Sequence, residues 1–476
     1  MQIDLNRLPS LSSIKGELCK RRFFYFVQEF WEIIIPESAV WNWHIEYICD
    51  ELQEMAFRIR DRQPKLHDLI INVPPGSSKS SIVTQLFPAW CWTIDPTIRA
   101  LTGSYSASLS TDHAVKSRDI IKSDKFRAYF PNIAIKQDQD NKTYYKNTHN
   151  GDRYSTSVGG TVTGFHAHLI VVDDPLNPKQ AASEVELTSA NQWMDVTLST
   201  RKVDKAVTPT ILVMQRLSEN DCTGNWLSKK GKSIKHICLP GELSDGVRPV
   251  DLKEKYVDGL LDPIRLGRDV LNEMAITLGS YGYAGQIQQT PAPENGAIWD
   301  KNWFIVVPDS EMPSPSELEA YGTDWDLAYT ADEMNAANAY VTAGKKDGKM
   351  YVDYIDFEWL EFPELIAFMK KQAEPHFIEA KASGKSAKQS LTKQGIPAIE
   401  IKVDGGDKVA RTKMVTPYAE AGMICVRKSQ IDKLLHDDRQ GILKFPNGKF
   451  KDLNDAFGQS ISRLMSRVIK ETSFGW

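Results

Sequence analysis

The chain has little that would tie it to a membrane or to an oxidising compartment. No apolar run in its 476 residues reaches the ~18 needed to span a bilayer as a helix. The opening stretch MQIDLNRLPSLSSIKGELCKRR lacks the apolar segment of a signal peptide, so the protein is expected to act where it is made. Its six cysteines (Cys19, Cys49, Cys91, Cys222, Cys238, Cys425) are scattered, with no CxxC and no metal-ligand spacing. They read as reduced thiols and exclude both a disulfide framework and a thiolate zinc site. A large excess of one charge is missing too: 58 Lys and Arg face 62 Asp and Glu, a net charge of -4. That argues against non-specific coating of nucleic acid and leaves room for DNA in a local basic groove. There is no internal repeat and no long low-complexity tract.

The chain is long enough for two or three domains with ordinary globular composition. Residues 1–60 read as helical and aromatic-rich, the N-terminal helical part of a first domain over 61–306. Within that domain, short apolar strands alternate with helical stretches, the pattern of a parallel α/β sheet. The predicted strands are DLIINV (68–73), RALTGSY (99–105), HLIVVDD (168–174) and TPTILVM (208–214). Proline-, serine- and acid-rich VPDSEMPSPSEL (307–318) reads as a linker. A second α/β domain is expected over 319–476: a strand, a hairpin turning at Asp347-Gly348, a helix, and the strand PHFIEA.

Two sets of residues carry chemistry. The first is strand, loop and apolar helix, DLIINV-PPGSSKSS-IVTQLFPAW. Backbone N–H groups of Gly76, Ser77 and Ser78 would cradle phosphate oxygens, Lys79 would neutralise the β- and γ-phosphates, and Ser80 would hold Mg²⁺. Further on, an apolar strand ends in Asp173-Asp174: Asp173 as a Walker B carboxylate on Mg²⁺, Asp174 as the group that orients water. A third strand ends in Gln215-Arg216, a pair placed to sense the γ-phosphate and couple hydrolysis to movement. Each piece alone also fits a surface turn or a solvated strand end; their order together favours the nucleotide site. The loop departs from the usual pattern at Ser78, where glycine is expected at a backbone angle that glycine adopts more easily.

The second set is acidic. Asp324 and Asp326 are two apart in one strand and share a face. Glu379 ends PHFIEA, and Asp452 and Asp455 are three apart on a helix. Carboxylates without His or Cys suit hard Mg²⁺ or Mn²⁺, and two such ions can activate water and stabilise a leaving oxygen in phosphodiester cleavage. Most of the 62 acidic residues are ordinary surface, so the set weighs more than any member. Lys381, Lys385, Lys388 and Lys393 follow Glu379 and would suit either phosphate contact or a solvated helix face.

In this order the pieces resemble the large terminase subunits of tailed phages over nearly the whole chain. PPGSSKS is similar to that family's PPxxGKS, GGTVTGFHAHLIVVDDP to GGxxTGxxxxLIIxDDP, VMQRLSENDCTG to TRWxxxDLTG, and YAGQIQQTPAPENG to QYxQxPxPxxG. DWDLAYT resembles SWDxAxx, FIEAKASG xIEDKASG, GGDKVARTK a DKxxR segment, and FPNGKFKDLNDAFGQSI FPxGxxDDxxDALxQAL. The resemblance implies a P-loop (ASCE-type) ATPase with a parallel sheet followed by an RNase H-like α/β nuclease. Such a protein pumps double-stranded DNA into a prohead using ATP and cuts the concatemer. The implied partners are a portal protein, a small terminase subunit and four further copies in a pentamer, with no membrane. The implied location is the host cytoplasm, transiently at the portal vertex.

Carried over by position, Lys79, Ser80, Asp173 and Asp174 serve nucleotide and Mg²⁺, and Gln215 and Arg216 serve coupling. Asp326, Glu379 and Asp452 are the catalytic metal ligands, with Asp324 and Asp455 as neighbours or alternates. His44 falls in a segment resembling one near the adenine pocket, although a core histidine fits the position better. Lys451 replaces the first aspartate of the family's DDxxD. A P-loop helicase with an accessory nuclease, or a structural packaging component with decayed sites, stand as alternatives.

Overall fold

The computed structural model describes residues 10–291, 298–328, 337–380, 382–401, 408–448 and 450–465. The chain divides near residue 293 into two compact units, with residues 274–280 counted in the second.

The first unit holds eight strands: β1 (Asp68–Asn72), β2 (Ala100–Ser104), β3 (Ile135–Asp140), β4 (Tyr144–Asn147), β5 (Asp152–Ser157), β6 (Leu169–Asp173), β7 (Thr210–Met214) and β8 (Ile234–Cys238). They form one sheet in the order β3-β4-β5-β2-β6-β7-β1-β8, parallel from β5 through β8. The four predicted strands are its centre. Every residue of β1, β2, β6 and β7 is buried. A parallel sheet covered on both faces therefore reads in sequence as unbroken apolar runs.

Alternation divides those runs between two cores. Leu69, Ile71, Leu169, Val171, Ile211 and Val213 join the helix-covered face that includes Phe23, Phe26 and Phe30. Ile70, Ile170, Val172, Leu212 and Met214 join the opposite face with Trp193 and Trp226. The aromatic N-terminal helices Phe23–Ile34 and Trp43–Arg60 belong to the first core, so they form part of this unit. Strand β7 lies between β1 and β6, which is the ASCE-type arrangement.

The second unit is also α/β. Its strands are β9 (Ile305–Val307), β10 (Glu319–Asp326), β11 (Asn338–Lys346), β12 (Lys349–Glu358), β13 (His376–Glu379), β14 (Ala398–Ile401) and β15 (Ile424–Arg427), in the order β14-β13-β10-β11-β12-β15-β9. β10, β11 and β12 are antiparallel; β13 and β14 run parallel to β10. This is an RNase H-like sheet. The hairpin turns where predicted: Asp347 and Gly348 have φ of 51° and 77°, as a two-residue turn matched to strand twist requires.

The expected linker at 307–318 is corrected by the second sheet and core. Ile305–Val307 pairs with β15, and the Ser429 N–H donates to Asp309 Oδ1 at 3.0 Å. Trp299 and Phe304 pack into the second core, so the division falls before them. The prolines of 307–318 shape short turns along this unit: Pro315 opens one whose cap is closed by Ser314 and Glu317. Between β8 and β9 the chain is helical over Arg268–Gln286 on both sides of a kink at Gly279, whose φ of 64° and ψ of 173° are not helical.

Candidate functional sites

The P-loop residues follow β1 directly and turn into a helix. Gly76 and Ser78 both take the left-handed backbone, at φ 78° and 63°. At Ser78 this costs of order 1 kcal/mol more than at glycine. The helix beyond begins with a wide turn, Ser81–Leu86, in which the Phe87 N–H donates to Ile82 O five residues back. Pro88 has no N–H to continue the regular ladder. Widening of this kind recurs at functional sites, and here Ser80, Thr84 and Gln85 all reach the neighbouring strand and helix.

Asp173, at the end of β6, is wholly buried. It accepts from Ser80 Oγ at 3.0 Å and from Thr84 Oγ1 at 2.7 Å. His113 Nε2 lies 3.4 Å from its second oxygen, and Gln85 Nε2 donates to His113 Nδ1 at 2.9 Å. Burial, then the charge of Arg153, pushes His113 down to about 4, so it stands neutral. Burial raises Asp173 above the usual carboxylate range, with Thr84, Lys79 and Ser80 working against the rise. Asp174 has a positive φ of 42°, and its carboxylate lies 3.7 Å from Lys79 Nζ. Burial raises it as well, Lys79 opposing and Asp173 reinforcing.

The coupling pair is split. The Gln215 N–H reaches Asp174 Oδ1 at 3.3 Å, so the end of β7 touches the second carboxylate of the Asp173-Asp174 pair. Arg216 instead holds Asp221 through Nε at 2.9 Å, and Asp221 caps the helix Cys222–Lys230 by accepting from the Gly224 N–H. Thr84, Gln85 and His113 are partners that sequence reasoning missed. The signal available for the first two was their spacing after Ser80 on the helix.

His44 is fully buried, and it sits against the loop backbone: Nε2 donates to Ser77 O at 3.2 Å, while Asn42 Nδ2 donates to Nδ1 at 2.8 Å. Burial, then Arg265, lowers it to about 4. The unfolded chain takes up this proton near pH 6.5 and the folded chain only near 4. Stability from neutral His44 is therefore complete above pH 6.5 and is lost as pH falls toward 4. His44→Gln keeps a donor and cannot titrate. In urea unfolding between pH 6 and 4.5 the wild type is expected to lose up to ~1.4 kcal/mol per pH unit more than this variant. Equal slopes would show that His44 titrates alike in both states.

In the second unit, Asp324 and Asp326 do share a face, but their partners differ. Asp324 is fully buried and accepts from Arg463 Nε at 3.0 Å and Nη2 at 2.8 Å, with Gln459 Nε2 at 3.3 Å. Burial raises its pKa, and the Arg463 charge opposes this. Asp324 is thus the anchor of the helix Asp452–Met465. The other acids meet around two cations. Lys408 pairs with Asp455; burial works against its charge, but Asp455, Asp326 and Asp452 hold its pKa above the ordinary value. Arg411 reaches Glu379 at 3.5 Å and Asp455 at 3.4 Å. Asp452 is buried and accepts from the Ala337 N–H at 3.0 Å and Gln440 Nε2 at 2.9 Å.

Asp326, Glu379, Asp452 and Asp455 therefore gather where β10, β13 and the helices Lys408–Glu420 and Asp452–Met465 meet, with Lys408 and Arg411 balancing part of their charge. Hard carboxylate oxygens suit a divalent cation. Among the described residues no group of three or more His, Cys, Asp or Glu is placed to hold one. Lys451 puts its ammonium over the Phe445 ring at 5.8 Å. Lys385 is exposed, Lys388 pairs with Glu400 at 3.3 Å, and Lys381 lies outside the described residues. So do parts of the segments YAGQIQQTPAPENG, DWDLAYT, FIEAKASG, GGDKVARTK and FPNGKFKDLNDAFGQSI.

No family model matches the sequence, and no curated protein does. Among the solved structures it matches are large terminases. One, from a thermophilic bacteriophage and in complex with ADP, is 14% identical with a TM-score of 0.44, over 79% of this chain and 87% of that one. The large terminase of bacteriophage HK97 is 11% identical with a TM-score of 0.36, over 87% of this chain and 91% of its own. The large terminase nuclease of thermophilic phage G20c with bound zinc is 12% identical with a TM-score of 0.27, over 36% of this chain and 99% of its own. Identity at this level bears on the fold alone. Among the described residues no helix is long and apolar enough to cross a membrane.

Proposed function

We propose that the chain is a large terminase subunit: its first unit hydrolyses ATP to move double-stranded DNA into a prohead, and its second cuts that DNA. The observation that carries the reading is the meeting of Lys79 and Ser80 with Asp174 and Asp173 across neighbouring elements. Nothing in packing requires a buried carboxylate there; desolvation penalises it. A bound phosphate chain and divalent ion supply the reason to keep it.

In this reading the N–H groups of Gly76, Ser77 and Ser78 bind the phosphates of ATP, and the Lys79 ammonium neutralises them. Ser80 and Asp173 would hold Mg²⁺, which when bound supplies charge stabilisation to the transferring phosphoryl group. Asp174, with its raised pKa, orients the attacking water and is suited to take its proton. Gln215, touching Asp174, passes the change along β7; Arg216 supports this through the Asp221 cap.

In the second unit, Asp326, Glu379, Asp452 and Asp455 would hold Mg²⁺ or Mn²⁺, which when bound would activate water and stabilise the leaving oxygen; Lys408 and Arg411 pair with Asp455 and Glu379. Asp324 is left out of that set because Arg463 occupies it. The portal protein, a small terminase subunit, a pentamer on the prohead and the host cytoplasm complete the proposal, on the strength of the sequence resemblance.

The test uses the whole chain. Lys79→Ala is expected to abolish DNA-stimulated phosphate release while Mn²⁺-dependent cleavage of plasmid persists. Glu379→Gln is expected to do the reverse. A wild-type chain that neither hydrolyses ATP nor cuts DNA would rule the proposal out, as would both activities disappearing together in each variant.

A further inference from the structure

Arg265 lies just before the helical stretch Arg268–Gln286, yet it reaches the P-loop. Its position is tightly determined. Asp262, almost fully buried, accepts from the Ile264 and Arg265 N–H groups at 3.2 Å and from Arg265 Nε at 2.6 Å. Just before it, Leu261 O accepts from Asn42 Nδ2 at 2.7 Å, beside the His44 that holds Ser77. From this braced turn Arg265 Nη1 donates to Ser78 Oγ at 2.8 Å.

The remaining nitrogen, Nη2, is closed off from solvent and has no hydrogen-bond partner among the described residues. A buried donor on a cation is seldom left unmade, because its desolvation is not repaid. Here that donor belongs to the guanidinium that touches the residue next to Lys79. Guanidinium presents parallel N–H groups that match phosphate oxygens, and as a planar fork it does so in one fixed orientation.

Building on the nucleotide reading of the P-loop, we infer that Arg265 is a phosphate-binding residue acting in cis, donating from Nη2 to the phosphate chain of a nucleoside triphosphate held by Lys79. Its bond to Ser78 then has a purpose as well: the side chain that replaced glycine in the loop carries the arginine to the phosphates.

The probe is a slowly hydrolysed ATP analogue with Mg²⁺, titrated into the full chain by calorimetry, with apo melting temperatures measured alongside. Arg265→Ala is expected to weaken binding by about 10- to 100-fold, the scale of one charge-assisted hydrogen bond, with a lower apo melting temperature because the buried Asp262 loses its charged partner. Arg265→Lys should recover part of the loss. Millimolar guanidinium ion should restore affinity to the alanine variant and not to Lys79→Ala. Wild-type affinity in Arg265→Ala, with binding abolished in Lys79→Ala, overturns this inference and leaves the nucleotide site standing. A wild-type chain that binds no analogue overturns both. Should the alanine variant melt far below wild type, Arg265→Lys decides: reduced affinity at unchanged apo melting supports the contact, and wild-type affinity refutes it.

Discussion

Asp173→Asn is expected to lower ATP turnover by at least about 100-fold, the scale of losing several kcal/mol of metal-held charge stabilisation, while the fold melts at or above the wild-type temperature. The two halves of this expectation have one cause. Asp173 is wholly buried and its pKa is raised by that burial, so the charged carboxylate works against folding. Asparagine has nearly the same shape and keeps an acceptor for Ser80 Oγ, 3.0 Å away, and a polar group toward Thr84 Oγ1, 2.7 Å away. What it removes is the negative charge that a divalent ion requires. Phosphate release and thermal melting on the same preparation read both effects. If turnover stays within a few-fold of wild type, the carboxylate has no part in hydrolysis. If melting drops sharply, Asp173 is a structural residue and the buried charge has another explanation.

Arg463→Leu is expected to destabilise the second unit by about 3–5 kcal/mol. Arg463 is the main countercharge of a carboxylate with no exposure: Nε and Nη2 hold Asp324 at 3.0 and 2.8 Å, and Nη1 donates to Ala320 O at 2.7 Å. Its guanidinium also covers the Phe377 ring at 3.9 Å, so packing is lost with the charge. Only the Gln459 amide, at 3.3 Å, and a contact with Ser460 would remain to the buried carboxylate. Replacing both partners with apolar groups, Asp324→Val with Arg463→Leu, is expected to recover most of the loss, because the penalty comes from an unpaired buried ion more than from the absence of the pair. Urea unfolding of the two single variants and the double variant gives the cycle. A double variant no better than Arg463→Leu alone would place the cost in packing.

These residues also show what kind of reading succeeds. The strands β1, β2, β6 and β7 were legible because a sheet covered on both faces demands unbroken apolar runs. The Asp347-Gly348 turn was legible from two residues. The linker was misjudged because proline and serine mark turns whether or not the turn packs against a sheet; β9 and Trp299 are bound to the second unit by partners far away in sequence. The helix Arg268–Gln286 was missed for a related reason: Gly279, at φ 64°, interrupts its pattern.

Composition and motif order by themselves determined the two α/β units, the P-loop with its Asp173-Asp174 strand, and the set of acids from which a metal site would be drawn. Only the tertiary structure decided which of those groups are committed elsewhere. Asp324 went to Arg463 and Arg216 to Asp221. It also brought His44 and Arg265 to the loop and His113 to Asp173. The physical reason is the range of each effect. Hydrophobic period and loop chemistry act within a few residues, so a single segment records them. Ion pairing and burial depend on whichever side chain arrives across the fold, and the segment bearing one partner carries no mark of the other.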